Sequence, residues 1–409
     1  MAKILFLTQI VPFPPDAGPK VKTYHVIRAL AGQGHSVTLV SFVRPEEVRH
    51  IKALQEICDA VHTVPIRRSR VADVGYMIRS YLTNRPFLIE RDDLRPMQET
   101  VNQLVREDDF QFIHADQLTM VQFAIRGASA FPNKKPKVIF DAHNAVWTIV
   151  ERMKENARFF LKPVLAVEAR RVKQYEGELL RTVDHVLAVT DIDQRLLEEA
   201  LHFSKPGKND RISPVTVIPI AVDTQKLKPI NRKVGSKNIV TLGTLHYPPN
   251  ADGIRWFFNE VFPLVQKRVP DVTWTIIGKN PPQDFIELAE RNPGVIKVTG
   301  YVDDLRPYLE ESALMVVRAR AGGGMRVRLL EAFAYAMPVV TTTVGLEGIH
   351  GTPDHDVIVA DTPADFANRT AELLENASLQ EKLSTNGREL ATSKYDWQAV
   401  LAAMRPIYE

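Results

Sequence analysis

Cysteine is nearly absent from these 409 residues, Cys58 being the only one. That excludes an internal disulfide framework and argues against a cysteine-ligated metal. Long apolar runs are missing too. No stretch approaches the ~18 apolar residues that cross a bilayer. The apolar opening, Ile4 to Leu7, is too short for a signal peptide; it reads as a first β-strand, and the expected location is the cytoplasm. Neither sign of charge is in excess: 52 basic against 49 acidic residues leave a net +3, so nothing in the charge alone points to a nucleic-acid binder. Internal repeats, low-complexity tracts and a Gly-x-Gly-x-x-Gly dinucleotide fingerprint are lacking as well. No cluster of closely spaced carboxylates indicates a divalent-ion site.

What is present is the usage of a folded chain, 45% hydrophobic and 25% charged, at a length that favours two cores over one. Short apolar runs alternate with helical periodicity, which predicts an α/β protein of two doubly wound domains. The first set of strands is expected at residues 4–8, 36–42, 110–114, 138–140, 185–189 and 215–218. The second is expected at 239–243, 273–278, 296–300, 314–317 and 339–342, after a Pro- and Lys-containing linker over 226–237.

The densest chemistry lies in the second set. The strand at 314–317 is followed by Gly322, Gly323 and Gly324, a helix expected over 325–336, a stop at Pro338 and another strand. Such a unit presents free backbone N–H groups and a helix amino terminus to a phosphate. Arg320, Arg326 and Arg328 add cationic donors for its oxygens. On a helix, Arg326 and Arg328 would diverge by about 200°, leaving Arg328 on the side of Glu331. Glu331 sits among Leu329, Leu330, Ala332, Phe333, Ala334 and Ala336. A helix apolar all round is a buried one, and a lone carboxylate there would be costly. Either Arg328 pairs with it or it receives a ligand's hydroxyls. With glycines and arginines one turn upstream, the favoured reading is a nucleotide, phosphates on the loop and ribose on Glu331. Gly243–Thr244 and Gly278–Lys279 end strands at the same edge.

In the first half, residues 4–8 lead through a proline-rich loop to a helix over 21–31 and a strand over 36–42. This is a βαβ opening with its loop at the carboxyl edge, where ligands bind. The strand at 138–140 ends in Asp141, His143 and Asn144, and Asp116–Gln117 closes the strand before it. His143 is either hydrogen-bonded structure or a ligand contact. Arg67, Arg68 and Arg70 precede an amphipathic segment over 74–78, read as a solvated face or as a patch for anionic lipid headgroups. Residues 151–181 read as a charged surface helix interrupted at Pro163, with a membrane-facing helix as the other reading.

Gly322-Gly323-Gly324-Met325-Arg326-Val327-Arg328-Leu329-Leu330-Glu331, then Pro338-Val339-Val340-Thr341-Thr342 and Gly345-Leu346-Glu347-Gly348, resembles the nucleotide-sugar site of retaining glycosyltransferases of family four. These form the glycogen-synthase-like group with the GT-B fold. The resemblance implies two Rossmann-like domains facing across a cleft. Residues 1–220 would form the acceptor side, 221–390 would hold the nucleotide sugar, and a terminal helix over 391–409 would return to the first domain. Glu331 would grip the donor ribose, and Tyr301 and Val302 would cup the base. Ala17 and Gly18 would belong to a loop curving under the donor. The strand end Asp141-x-His143-Asn144 is similar to the family's, and its histidine would approach the transferred sugar.

Departures stand beside the likeness. Most members carry a second glutamate upstream of the one at 331; its place falls on Gly323 here, an absence shared by a subset with a Gly-Gly-x-Arg-x-Lys loop, with Arg328 where Lys is usual. The Arg and Lys usual after the first strand of the second domain are missing from residues 244–250. Val146 stands where some relatives have an acceptor-contacting glutamate. The implied activity is transfer of a sugar from a UDP- or GDP-linked donor to a hydroxyl acceptor (a saccharide, a lipid-linked or a small molecule), as in polysaccharide biosynthesis. Retention, independence of metal, no permanently bound cofactor, no nucleic acid and peripheral contact at the inner face of a membrane belong to the same expectation. A nucleotide-sugar epimerase of similar fold and a catalytically inactive glycosyltransferase-like subunit are the alternatives.

Overall fold

The computed structural model describes residues 1–15, 18–155, 157–205, 211–320 and 324–409. Ala17, Gly322 and Gly323 lie outside the described residues. Contacts divide the chain into two units, Met1–Ile220 with Val400–Glu409, and Ala221–Ala399.

Seven strands build the first unit: β1 (Lys3–Thr8), β2 (Ser36–Val43), β3 (Ala60–Pro65), β4 (Phe112–Asp116), β5 (Lys137–Ala142), β6 (His185–Ala188) and β7 (Val215–Val217). Their order is β3-β2-β1-β4-β5-β6-β7, every ladder parallel. β1 is buried from its second residue onward, the unbroken apolar run that a parallel strand covered on both faces requires. The crossover from β1 to β2 is α1 (Gly18–Gly32), which buries Lys22 and Thr23 beside Val21, Val26 and Ile27. Between β3 and β4 lies α2 (Arg70–Thr83). The helix expected over 151–181 with an interruption at Pro163 is two helices, α3 (Val146–Glu155) and α4 (Lys162–Leu179), the break falling just before that proline. Pro163 stands in the first turn of α4, where its missing N–H costs nothing, so the interruption takes the form of a new helix start.

The second unit repeats the scheme with β8 (Asn238–Leu242), β9 (Thr273–Ile277), β10 (Ile296–Gly300), β11 (Leu314–Val317), β12 (Val339–Thr341) and β13 (Ile358–Val359). Their order is β10-β9-β8-β11-β12-β13, again all parallel. The ring centroids of Phe257 and Phe262 lie 4.8 and 5.6 Å from that of buried Trp274. Trp274 Nε1 donates to Thr241 Oγ1 at 3.1 Å, so its polar atom is satisfied inside the core. β8 runs into α5 (Pro248–Trp256), and β11 leads to α6 (Val327–Ala334).

α6 corrects two expectations. It is shorter than 325–336: Arg326 is its N-cap residue, at φ −88° and ψ 95°, so the helical divergence of Arg326 from Arg328 does not apply. At the other end Ala336 is left-handed (φ 58°), and Met337 N–H donates to Ala332 O at 2.9 Å. That closes the helix in a Schellman turn just before Pro338. Nor is α6 buried all round. Leu329, Leu330, Ala332, Phe333 and Ala334 face the core, while the side chains of Arg328 and Glu331 keep 36% and 19% exposure. The alanines do not reveal from composition which side of the helix is open.

Strand order reverses between β1 and β4 in the first unit and between β8 and β11 in the second. Because all ladders are parallel, the carboxyl ends within each sheet share one edge. The crevice outside such a reversal is where doubly wound sheets bind ligands.

Candidate functional site

At the β1/β4 reversal the first unit buries a network of charge. Asp116 and Asp141 are register partners at the ends of β4 and β5, and both are fully buried. Lys22 Nζ, from the second turn of α1, makes an ion pair with Asp141 Oδ1; the two side chains are 2% and 0% exposed. Burial alone would raise the Asp141 pKa. The charge of Lys22, with help from His114 and His143, overrides it and holds the carboxyl well below the usual carboxylate range. His114 Nε2 lies 3.4 Å from Asp141 Oδ2, its ring stacks on Phe6 with centroids 4.1 Å apart, and its Nδ1 is hydrogen-bonded to the Tyr408 hydroxyl.

Asp116 serves a different group. It accepts from Thr23 Oγ1 at 3.0 Å and from His143 Nε2 at 2.8 Å. The next residue, Gln117, takes φ 73° and ψ 157°, a conformation nearly restricted to glycine that costs on the order of 1–3 kcal/mol. Its N–H donates to Asp141 O at 3.0 Å. Past half-buried Asn144, the chain is pinned: Ala145 N–H donates to Asp193 Oδ1, and Val146 and Trp147 N–H donate to the two oxygens of Glu176 at 2.7 and 2.9 Å. Burial pushes the Glu176 carboxyl up to about 8, with those amide donors pulling the other way. Gly18 opens α1, four residues before Lys22.

His114, Asp116 and Asp141 are the one group of histidine and acidic donors, among the described residues, close enough to share a cation, all within 4.8 Å. Lys22, Thr23 and His143 already hold those carboxylates, so a cation would have to displace a buried ammonium. Lys22, Thr23 and His114 are not singled out by sequence reasoning. The signal for Lys22 is a lysine on an otherwise apolar helix face next to a proline-rich loop.

At the β8/β11 reversal the second unit knits its strand ends with backbone. Gly243 N–H donates to Ile277 O, Gly278 N–H to Gly300 O and Leu245 N–H to Lys279 O, at 2.9–3.1 Å. A Cβ on Gly278 would stand 1.7 Å from Gly243 O, so only glycine permits this approach. Thr244 and Lys279 follow, half-buried; Lys279 Nζ sits 4.8 Å from the centre of the Tyr301 ring, which is largely exposed next to Val302. Arg320 is turned toward α5, its Nη1 3.6 Å from Asp252 and its guanidinium over Trp256 at 5.6 Å. Arg326 Nη1 donates to Gly324 O at 2.9 Å, and Arg328 Nη1 to Glu331 Oε2 at 2.6 Å. Arg326, Arg328 and Glu331 thus follow one another along the start of α6, Arg320 turns to α5, and Gly323 lies outside the described residues.

The residue missed here is Arg318, directly after β11. It is 7% exposed, yet its hydrogen bonds are long, 3.3 Å to Thr241 Oγ1 and 3.5 Å to Val316 O, with no carboxylate. Its Nε is buried without a partner, and burial lowers its pKa to about 9. Bridging β8 and β11 at the reversal point, it is a cation without a counterion among the described residues. The sequence signal is an arginine ending the run Leu-Met-Val-Val. By contrast, a cavity of about 700 Å³ lined by Lys237, Asn238, Thr273 and Lys297 opens at the amino ends of β8 to β10, the wrong edge for a doubly wound site.

The family model described as Glycosyltransferase Family 4 matches residues 18–226, and that described as Glycosyl transferases group 1 matches residues 236–376. An uncharacterized 44.6 kDa protein in the cps region of Klebsiella pneumoniae is 24% identical over 173 residues, 41% of this chain and 45% of that protein. Glycogen synthase of Mycobacterium tuberculosis is 24% identical over 254 residues, 59% of this chain and 57% of that protein. The chain spans about half the length of these curated relatives. Among solved structures, Anabaena HepE in complex with UDP and glucose matches with a TM-score of 0.65 at 14% identity, over 100% of this chain and 99% of that one. Sucrose-phosphate synthase from Thermosynechococcus elongatus gives 0.68 at 14% identity, over 100% and 98%. At such identity the likeness shows the fold, which is GT-B.

Proposed function

Because the chain belongs to Glycosyltransferase Family 4, we propose that it transfers a glycosyl unit from a nucleotide-diphosphate sugar to a hydroxyl acceptor, with retention and without a metal. The observation that carries this reading is the run of polar groups that opens α6, Arg326, Arg328 and Glu331, with buried Arg318 at the β8/β11 reversal. As a glycosyl cation departs, the diphosphate gains charge, and preorganised donors aimed at it lower the barrier. Buried Arg318 takes the place of the Arg and Lys missing from residues 244–250. Glu331, shared with Arg328, accepts the ribose hydroxyls, and Tyr301 and Val302 meet the base. HepE has been solved with UDP and with UDP-glucose, which favours a uridine donor over a guanosine one.

In the first unit, His143 is assigned to the transferred sugar, and Asp116 to holding it in place. The acceptor is read as a saccharide, lipid-linked or small-molecule hydroxyl, with a peripheral membrane contact if it is lipid-linked. The test is titration with UDP, GDP and ADP, followed by turnover of the matching sugar donor with and without acceptors, in the presence of a chelator. Acceptor-dependent release of nucleoside diphosphate that survives chelation supports the reading. Binding without turnover points to an inactive subunit, and turnover of donor alone to an epimerase or hydrolase.

A further inference from the structure

Helix α2 is put together inside out. Of its 14 residues only Ser80 is buried. Its polar groups hold it to the unit: Arg79 Nε contacts buried Glu90 at 2.7 Å, and Ser80 Oγ donates to Arg85 O at 2.6 Å. Its apolar residues point away: Val71, Val74, Met77, Ile78 and Leu82 are between 52% and 83% exposed. A helix that only had to cover a core would carry the opposite pattern.

A second apolar surface adjoins it. Met153 at the end of α3, Phe159 and Phe160 in the turn, and Val164 and Val167 on α4 are all more than half exposed, Phe159 reaching 82%. The two surfaces touch through Arg171 of α4, whose guanidinium lies 6.0 Å from the Tyr81 ring and whose Nε donates to Asn84 Oδ1 at 2.9 Å. Val164 and Val167 lie two turns and one turn before Arg171 on the same helix. A soluble monomer rarely exposes a contiguous apolar patch of more than about a few hundred Å², so this face is built to be covered.

Charge identifies the cover. Residues 67–82 and 149–171 hold 10 basic and 4 acidic side chains, leaving 42 basic and 45 acidic elsewhere. Among the described residues, the side chains of Arg67, Arg70, Arg158 and Lys162 have no hydrogen bond or ion pair. A two-fold contact with a second copy would press this basic face against itself, whereas an anionic bilayer answers both its charge and its apolar side chains. We propose that α2 together with the α3–α4 turn docks the first unit on an anionic lipid surface, α2 and Phe159–Phe160 entering the headgroup layer and the arginines meeting lipid phosphates.

This gives a partner to the membrane contact of the proposed function and rests on that reading only for its purpose; the test below contains neither donor nor acceptor, so either idea can fail alone. The whole chain is floated with vesicles of phosphatidylcholine, with or without phosphatidylglycerol. The expected result is flotation with the mixed vesicles only, weakened by salt and reduced about tenfold or more by Phe159→Glu with Phe160→Glu or by Met77→Glu with Ile78→Glu. In the wild type, hydrogen exchange should slow over residues 70–83 and 153–167 when mixed vesicles are added, a readout that needs no variant. No flotation, or flotation and exchange indifferent to these residues, overturns the proposal. So does a dimer in sedimentation that the same substitutions dissociate, since a second copy would then be the cover.

Discussion

Arg328 Nη1 donates to Glu331 Oε2 at 2.6 Å, one turn apart at the start of α6, with both side chains still open to solvent. An exposed pair at this spacing contributes only about 0.2–0.5 kcal/mol to a helix. Arg328→Ala is therefore expected to leave the melting temperature nearly unchanged. By calorimetry it should weaken nucleoside diphosphate about tenfold or more while sparing the nucleoside, from the loss of about 1.5–3 kcal/mol of charged hydrogen bonding. Glu331→Gln should weaken both ligands. Equal losses for both with Arg328→Ala would mean that the arginine only steadies Glu331.

Arg318 carries the opposite balance of stability and function. Buried without a carboxylate, it burdens the fold, so Arg318→Met should raise the melting temperature by a few degrees, corresponding to about 1–2 kcal/mol. The same change should weaken nucleoside diphosphate binding at least about tenfold. A variant that is less stable and binds as before would make Arg318 a structural residue.

His143 is held by Asp116 at 2.8 Å. His143→Ala should lower kcat and leave nucleotide affinity unchanged, the pattern of a contact made in the transition state. Asp116→Asn, which keeps the shape and loses the charge, should lower kcat less. Gln117→Gly should raise stability by about 1 kcal/mol by relieving the left-handed backbone, and lower kcat if that strain aims Asp116 and His143. Steady-state rates beside isothermal titration decide the effects on catalysis and binding, and a denaturant melt the stability of Gln117→Gly.

The Lys22–Asp141 pair gives a pH dependence. The folded carboxyl titrates below its unfolded value, so the unfolded chain binds the extra proton and stability falls as pH drops below about 4. Asp141→Asn should lower stability at neutral pH by about 3–5 kcal/mol, because a buried ammonium is left alone, and should soften the acid limb. Replacing both partners, Lys22→Met with Asp141→Leu, should restore much of the loss. Thermal melts across pH check this; an unaltered acid limb in Asp141→Asn would count against the pair.

Central strands are legible in the sequence because burial on both faces forces unbroken apolar runs, as in β1 and β11. Edge strands escape: β3 reads Ala-Val-His-Thr-Val-Pro with only Val64 buried, and β13 is two residues long. In the site, residues that stand at strand ends or glycine loops can be picked out from pattern alone, as His143, Gly278 and Glu331 were. Lys22 and Arg318 cannot, since a cation inside an apolar stretch looks like any surface residue until the packing removes its water. The inverted face of α2 escapes for the same reason: periodicity reports an amphipathic helix and is silent on which side the body of the protein lies.

Tyr408 reaches back 294 positions to place its hydroxyl on His114. During synthesis, at roughly 5–20 residues per second, a ribosome needs about 15–60 s to make that span. Once β7 has emerged the first sheet can form its ladders, but until Tyr408 follows, the ring of His114 lacks its hydroxyl partner. The site end of β4 is therefore completed only after the whole second unit has been made, and a translation stall before Tyr408 would leave the first unit unfinished.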